Sequence, residues 1–221
     1  MESSEIGLLR VDRRALLAFY DDPEPGEKGM TATAVNAVAG EEFGLALLRR
    51  YLSESGREPR ILPGPCSAGK FKGHRLDAWV ETPGCLYQVE IKNWSAHSFS
   101  GSALPVDANE AVAREHRKRM WGEYWTGSTF RDDAAAKVLE RMNPPSTGVA
   151  VEPLIAFWVP LHPEGAAAPF FWLPLHGLPF ERVNVFWMST YLRGVAEDFI
   201  ELELPKTKTR LAVLERIFAA G

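Results

Sequence analysis

The stretch RLDAWVETPGCLYQVEIKNW, residues 75–94, has the pattern of two β-strands joined by a short turn. Apolar residues alternate with polar ones at 75–80 and 86–94, which favours strands because successive side chains of a strand point to opposite faces. The residues between them, ETPG at 81–84, include the proline and glycine that are typical of tight turns. The sequence therefore predicts a β-hairpin.

The predicted hairpin brings charged side chains together. Glu90 and Lys92 are two residues apart in the second strand, so their side chains share a face. Val89 and Ile91 point to the other face and supply the packing. Pairing across the turn puts Asp77 of the first strand beside Glu90. Because charged groups on a half-buried face cost free energy unless a cation joins them, this cluster is a candidate metal site.

The residues of this cluster suit a hard divalent cation. The carboxylates of Asp77 and Glu90 and the main-chain carbonyl of Ile91 form an oxygen ligand set that Mg²⁺ or Mn²⁺ accepts while keeping several waters. Such an ion polarises a phosphate and acidifies a bound water, and Lys92 would steady the attacking hydroxide and the developing pentavalent phosphate. Gln88, on the same face, is predicted either to contact metal-bound water or substrate or to be a simple strand amide.

An amphipathic helix is predicted upstream, from residue 31 or 33 to about residue 55, ended by Gly56. Its apolar stripe has helical spacing and consists of Ala34, Val38, Leu45, Leu48 and Leu52. Glu41 interrupts this stripe, and a carboxylate among core-facing residues costs free energy unless something pairs with it. Glu41 is therefore the predicted third carboxylate of the site, with a surface glutamate in a misphased stripe as the alternative. Glu42 lies off the stripe and is the less favoured of the two.

Composition limits the classes of protein that the chain can represent. Its 221 residues are 46% hydrophobic and 24% charged, which is typical of one globular domain with a real core. The 25 basic residues against 29 acidic ones give a net charge of -4, which excludes a polybasic coat protein. Two cysteines without a C-x-x-C spacing exclude a disulfide framework and a Cys-type zinc or iron–sulfur site. An acidic start without an apolar core favours a cytoplasmic protein with no membrane partner.

The rest of the chain predicts a mixed succession of elements. Helices are expected at 12–20 with Asp12 as a cap, at 107–125, at 131–142 and at 208–220, strands at 153–161 and 183–192, and a loop at 57–73. This order indicates the α/β class, with a central mixed β-sheet flanked by helices in a single domain over 1–221. Half of the 16 prolines lie within 144–179 among aromatic residues, and this Pro/aromatic-rich C-terminal elaboration is interpreted as a substrate lid or a subunit interface.

Three segments together resemble the PD-(D/E)XK nuclease superfamily, whose fold is restriction-endonuclease-like: GEEFGLALLRRYLSESG (40–56), RLDAWV (75–80) and YQVEIKNW (87–94). The resemblance covers roughly residues 33–125, a little under half of the chain. It implies a restriction-endonuclease-like core, with the strands and the helix up to residue 221 added to it. It also implies an Mg²⁺- or Mn²⁺-dependent endonuclease that hydrolyses nucleic-acid phosphodiester bonds, with DNA favoured over RNA.

The resemblance assigns roles residue by residue. Asp77, Glu90 and Lys92 match the D…E-x-K signature, and Glu41 matches the acidic residue of the first core helix. Leu76 stands where the family's name motif has proline. The same resemblance makes nucleic acid the implied partner, bound by the protein as a homodimer or as a subunit of a larger nucleic-acid-processing or defence complex.

Basic residues on both sides of the hairpin are candidates for gripping a nucleic-acid backbone, because cations interleaved with aromatics suit such a clamp. They are Lys70, Lys72, Arg75, Arg114, Arg117 and Lys118. A solvated helix face is the alternative for the residues at 114–118. The match of residues 64–70 to G-x-x-x-x-G-K lacks the following Ser or Thr, and we interpret it as a coincidence.

Two non-catalytic interpretations of the acidic cluster stay open. In the first, Asp77 and Glu90 are a cross-strand pair that Lys92 or Arg75 neutralises, since structural ion networks resemble active sites. In the second, the chain is a catalytically inactive nuclease-fold subunit that binds nucleic acid or supports assembly. Intact Asp77, Glu90 and Lys92 argue against the second, because an unused site has no reason to keep costly buried charges.

Overall fold

Six strands form one mixed sheet in the computed structural model. The structure describes residues 8–21, 30–62, 76–92, 115, 137–145, 148–158, 168–176, 179–204 and 207. Within these ranges it does not describe the side chains of residues 19–21, 30–39 and 137. In chain order the elements are β1 (Leu8–Asp12), α1 (Arg13–Asp21), α2 (Met30–Glu54), β2 (Arg60–Leu62), β3 (Ala78–Thr82), β4 (Cys85–Lys92), a 3-10 turn (Lys137–Leu139), β5 (Val151–Phe157), β6 (Phe170–Pro174), β7 (Arg182–Trp187), α3 (Met188–Gly194) and β8 (Phe199–Glu203).

The strand order in this sheet is β2-β3-β4-β5-β7-β6. The strands β2, β3 and β4 are each antiparallel to their neighbour. Next to β4, β5 and then β7 are added in parallel, and β6 forms the last strand, antiparallel to β7. A smaller antiparallel sheet joins β1 to β8, which are far apart in sequence. The predicted α/β class with a central mixed sheet is therefore confirmed.

The predicted hairpin is confirmed, with a tighter turn than the sequence indicated. The register runs from Ala78 opposite Val89 to Thr82 opposite Cys85, so the turn contains only residues 83 and 84. The hydroxyl of Thr82 donates to the Cys85 carbonyl over 3.0 Å, which closes the end of the ladder. The strand β3 begins three residues later and ends two residues later than the predicted strand at 75–80.

Helix α2 packs on one face of the sheet. Its residues Leu45, Leu48 and Leu52 are fully buried, and they form one core cluster with Val89 and Ile91 of β4. The helix ends close to Gly56, whose φ of 73° lies in the left-handed region that favours glycine, as predicted. A second core cluster lies on the opposite face and includes the 3-10 turn. The sheet is thus covered on both faces.

The strand predicted over 183–192 is wrong in its second half. The strand β7 ends at Trp187, and the chain continues directly into α3. Within α3, Met188, Tyr191 and Leu192 are buried at helical spacing. A short run of mostly apolar residues cannot be assigned to a strand or a helix from periodicity alone, because it fits both the two-residue period of a strand and the 3.6-residue period of a helix.

Other predicted boundaries also need correction. The predicted loop at 57–73 contains the three-residue strand β2, and the proline-rich segment contains β6. The helical segment predicted at 131–142 is a 3-10 turn at Lys137–Leu139 in its described part. The helices predicted at 107–125 and 208–220 lie outside the described residues, apart from isolated positions. Among the helices that the structure describes, none is long and apolar enough to cross a membrane.

Candidate acidic site

The start of β3 and the end of β4 lie side by side because the two strands are antiparallel. Asp77, the residue before β3, donates its backbone N–H to the Val89 carbonyl over 3.1 Å. Its carboxylate oxygen Oδ2 accepts the backbone N–H of Ile91 over 2.6 Å. These two bonds place Asp77 beside the backbone of residues 89–91, the segment of β4 that contains Glu90. Asp77 therefore lies next to this segment, as the hairpin predicted.

Glu90 and Lys92 form a buried ion pair on one face of β4. The ammonium Nζ of Lys92 lies 2.9 Å from Oε1 of Glu90, and 11% and 3% of their side chains are exposed. Their partners on β5 are Ile155 and Phe157, which are both fully buried. The pair thus stands on an apolar surface, where each charge depends on the other for compensation. The prediction that the two residues share a face is confirmed.

The backbone of Ile91 is directed toward Asp77. In a strand, the N–H and the C=O of one residue point to the same side, and neighbouring residues point to alternate sides. The Ile91 N–H bonds to Asp77 on the β3 side, whereas the next carbonyl, of Lys92, accepts the Trp158 N–H on the β5 side. The Ile91 carbonyl therefore faces the side on which Asp77 lies, beyond the last pair of β3. This direction is compatible with the predicted role of that carbonyl as a metal ligand.

The sequence predicted that Glu41 faces the core and that Glu42 does not, but Glu42 is the more buried of the two in the structure. Glu41 is half-buried, and Glu42 is only 3% exposed. Besides β4, α2 also contacts β8 and α3. A helix covered on more than one side buries residues outside a single apolar stripe. Glu41 lies three residues before Gly44, which contacts Ile91 and so places this part of α2 behind the acidic site.

Gln88 holds the 3-10 turn against the sheet. Its amide nitrogen Nε2 donates to the carbonyls of Val138 and Glu140, the latter over 2.7 Å. Gln88 is completely buried, and its Oε1 has no hydrogen-bond partner within the described ranges. These contacts give Gln88 a structural role, and its contact with metal-bound water or substrate stays a prediction.

A divalent cation at the end of β4 would have only a few carboxylate ligands. In the part of the chain that the structure describes, no three His, Cys, Asp or Glu side chains are grouped so as to hold a metal ion. Mg²⁺ is nevertheless commonly held by one or two carboxylates, because it keeps several waters. Asp77, Glu90 and the Ile91 carbonyl offer oxygen donors of this kind at the end of β4, and their binding of a cation stays a prediction. The participation of Glu41 stays a prediction.

The structure does not describe the basic residues that were predicted to bind the nucleic-acid backbone. These residues, namely Lys70, Lys72, Arg75, Arg114, Arg117 and Lys118, all lie outside the described ranges. The G-x-x-x-x-G-K match at 64–70 lies outside them as well.

Sequence reasoning missed a polar cluster at the opposite end of β4. The amide of Asn184 donates to Oε2 of Glu152 over 2.8 Å, and Glu152 also pairs with Arg182. Burial, reinforced by the nearby Glu152 carboxylate, raises the pKa of the Cys85 thiol to about 12. Burial likewise raises the pKa of Tyr87 to about 12, so its phenol stays neutral. The partners are some 30 residues apart in sequence, and only the pairing of β5 with β7 brings them together.

A second missed network borders a groove of ≈ 660 Å³ beside α3. The Tyr191 phenol donates to Oε2 of Glu54 over 2.8 Å, and Arg50 bridges Glu54 and Glu197. Burial and the bond to Glu54 raise the pKa of Tyr191. Of these contacts, the i,i+4 pair of Arg50 and Glu54 is the one that helical spacing predicts.

Comparison of the chain with protein-family models, with curated proteins and with solved structures finds no match. The PD-(D/E)XK resemblance therefore stays a prediction that depends on the motifs at 40–56, 75–80 and 87–94. The geometry of the hairpin is independent of that resemblance.

Proposed function

We propose that this chain is an Mg²⁺- or Mn²⁺-dependent endonuclease that hydrolyses phosphodiester bonds of nucleic acid, with DNA favoured over RNA. The observation that carries the proposal is the convergence of Asp77, Glu90 and Lys92 at the end of β4, where the lysine and the glutamate form a buried pair. The restriction-endonuclease-like identity of the fold belongs to the same proposal. It is supported by the order of a helix, a strand directly preceded by Asp77 and an E-x-K strand within a mixed sheet.

Each residue of the site has a distinct part in the proposed reaction. Asp77, Glu90 and the Ile91 carbonyl would hold the divalent cation, with Glu41 of α2 completing the site. The bound cation supplies Lewis-acid polarisation of the phosphate and a bound water of lowered pKa. Lys92 is held in place by Glu90, so that its ammonium is oriented before substrate arrives. From that position Lys92 would donate to the attacking hydroxide and to the negative charge that develops on the phosphate.

A cleavage assay with isosteric variants tests this function. Asp77→Asn keeps an oxygen that can accept the Ile91 N–H, so the hairpin end is preserved while the charge is lost. We expect wild type to cleave plasmid, single-stranded DNA or RNA in Mg²⁺ or Mn²⁺, and Asp77→Asn to lose at least about 100-fold in rate. Glu81→Gln is the matched control, because it makes the same chemical change in the same hairpin at the exposed pair with Arg60.

A catalytically inactive nucleic-acid-binding or assembly subunit is the second candidate. One observation favours it: Glu90 neutralises Lys92, and the Ile91 N–H occupies one oxygen of Asp77, so these charges also have a structural explanation. In that case, wild type would bind labelled nucleic acid without cleaving it in either metal, and Asp77→Asn would bind equally well. Cleavage that Asp77→Asn abolishes and Glu81→Gln retains would exclude this second function.

A further inference from the structure

Gly44 occupies the interior of α2, where glycine is the poorest helix former apart from proline. A packing reason for it is visible in the contact with β4. A Cβ atom on residue 44 would lie 2.7 Å from Cγ2 and 3.3 Å from Cδ1 of Ile91, and 3.2 Å from Sδ of Met188. Carbon atoms in favourable contact are about 3.5–4.0 Å apart, so the first of these distances is a clash. The absence of a side chain is what lets α2 approach Ile91 this closely.

Ile91 has little freedom to move away from such a clash. Its side chain is β-branched and therefore stiff at χ1, and the residue is only 7% exposed. Its N–H is bonded to Asp77, and the following carbonyl, of Lys92, is bonded to Trp158. Ile91 also stands between Glu90 and Lys92 in the strand. Any displacement of its backbone is therefore transmitted to all three charged residues of the site.

We propose that Gly44 is a positioning residue, whose missing side chain seats α2 against Ile91 and thereby fixes the Ile91–Asp77 hydrogen bond and the geometry of the acidic site. The part of this inference that concerns a divalent cation rests on the proposed function. The part that concerns the hydrogen bond rests on the contacts alone. Met188 is a lesser obstacle, because an unbranched thioether adapts more readily than a β-branched side chain.

The chain offers matched controls for a test of this role. Gly194 also belongs to a helix, α3, and a Cβ there would meet nothing within 4 Å, so Gly194→Ala controls for the substitution itself. Ile91→Ala removes Cγ2, the atom that would clash, together with Cδ1, and the double variant Gly44→Ala with Ile91→Ala should restore the packing of α2 against β4. Ile91→Val keeps Cγ2 and should therefore fail to rescue Gly44→Ala.

Two measurements on the full chain test the positioning role of Gly44 separately from the proposed nuclease function. The first is amide hydrogen exchange at residue 91 by NMR without metal, expressed relative to the β4 amides at 87 and 89 so that general destabilisation cancels. We expect Gly44→Ala to speed the relative exchange at least about ten-fold, and Gly194→Ala to leave it unchanged. The second is the Kd for Mn²⁺ by calorimetry, which should rise about ten-fold in Gly44→Ala, as is typical when the support of metal ligands is disturbed.

The double variant Gly44→Ala with Ile91→Ala tests whether the contact with Ile91 causes the effects of Gly44→Ala. The double variant should return both values to those of Ile91→Ala alone. Relative exchange of the residue 91 amide in Gly44→Ala within two-fold of wild type, or equal rescue by Ile91→Val and Ile91→Ala, would overturn the positioning role. Failure of wild type to bind Mn²⁺ would instead count against the proposed metal site, and the exchange measurement would still decide the role of Gly44.

Discussion

Lys92 and Glu90 are buried together on an apolar sheet face, where each charge helps to compensate the other. An ion pair in such surroundings stabilises a protein little compared with an apolar pair, yet removal of one partner leaves an uncompensated buried charge. The exposed pair of Arg60 and Glu81 on the same hairpin has no such constraint, because 73% of the Arg60 side chain is accessible. The two pairs should therefore respond very differently to substitution.

Lys92→Met should lower the free energy of unfolding by about 3–5 kcal/mol, because the Glu90 carboxylate would stay buried without its cation. Adding Glu90→Gln should recover most of the loss. Arg60→Ala, the control at the exposed pair, should cost no more than about 1 kcal/mol. Urea denaturation followed by fluorescence measures all three, and equal losses for Lys92→Met and Arg60→Ala would contradict the burial of the pair.

The Cys85 thiol should be unreactive in the folded protein, because the thiolate is the nucleophile and burial raises the pKa of this thiol to about 12. In a Cys66→Ser background at pH 8, iodoacetamide should label unfolded chain rapidly and folded chain hardly at all. Since the folded pKa lies above the ordinary 9.0, this group contributes stability fully below pH 9, and the contribution is lost as the pH rises toward 12. Rapid native labelling, read by mass spectrometry, would refute the burial of the thiol.

At the scale of elements, local signals predicted those parts of the fold whose geometry is set within a few residues. Hairpin pairing gives each residue of β3 a fixed partner on β4, so the sequence could bring Asp77, the residue before β3, to the part of β4 that contains Glu90. The assignment of Asp12 as the cap of α1 is also confirmed, because its Oδ1 accepts the N–H groups of Arg14 and Ala15 over 2.8 and 3.1 Å. Capping depends on residues two or three positions away, which a sequence displays directly.

Asp12→Ala should cost about 1 kcal/mol of stability, because the first turn of α1 would lose the acceptor for two backbone N–H groups. Asp12→Ser should retain most of the stability, since serine is also a good cap. Thermal unfolding followed by circular dichroism measures both variants. A loss in Asp12→Ser as large as in Asp12→Ala would show that the carboxylate acts through something other than capping.

At the scale of the whole molecule, the features that the sequence did not predict depend on contacts between distant segments. The strand β1 exists because it pairs with β8, nearly 190 residues later. The segment of β8 does alternate, with Ile200 and Leu202 buried and Glu201 exposed between them, but nothing near it in sequence indicates the strand that it pairs with. Helix α2 contacts β8 and α3, which are distant in sequence, so a single apolar stripe does not predict which of its residues, such as Glu42, are buried.

The most direct test of the proposed nuclease is the single-turnover cleavage rate of labelled DNA as a function of Mn²⁺ concentration, for wild type, Asp77→Asn and Glu81→Gln. The proposed site predicts a wild-type rate that saturates with Mn²⁺, an unchanged curve for Glu81→Gln, and a rate at least about 100-fold lower for Asp77→Asn at every concentration. Cleavage that persists in EDTA, or that proceeds equally in wild type and Asp77→Asn, would contradict it.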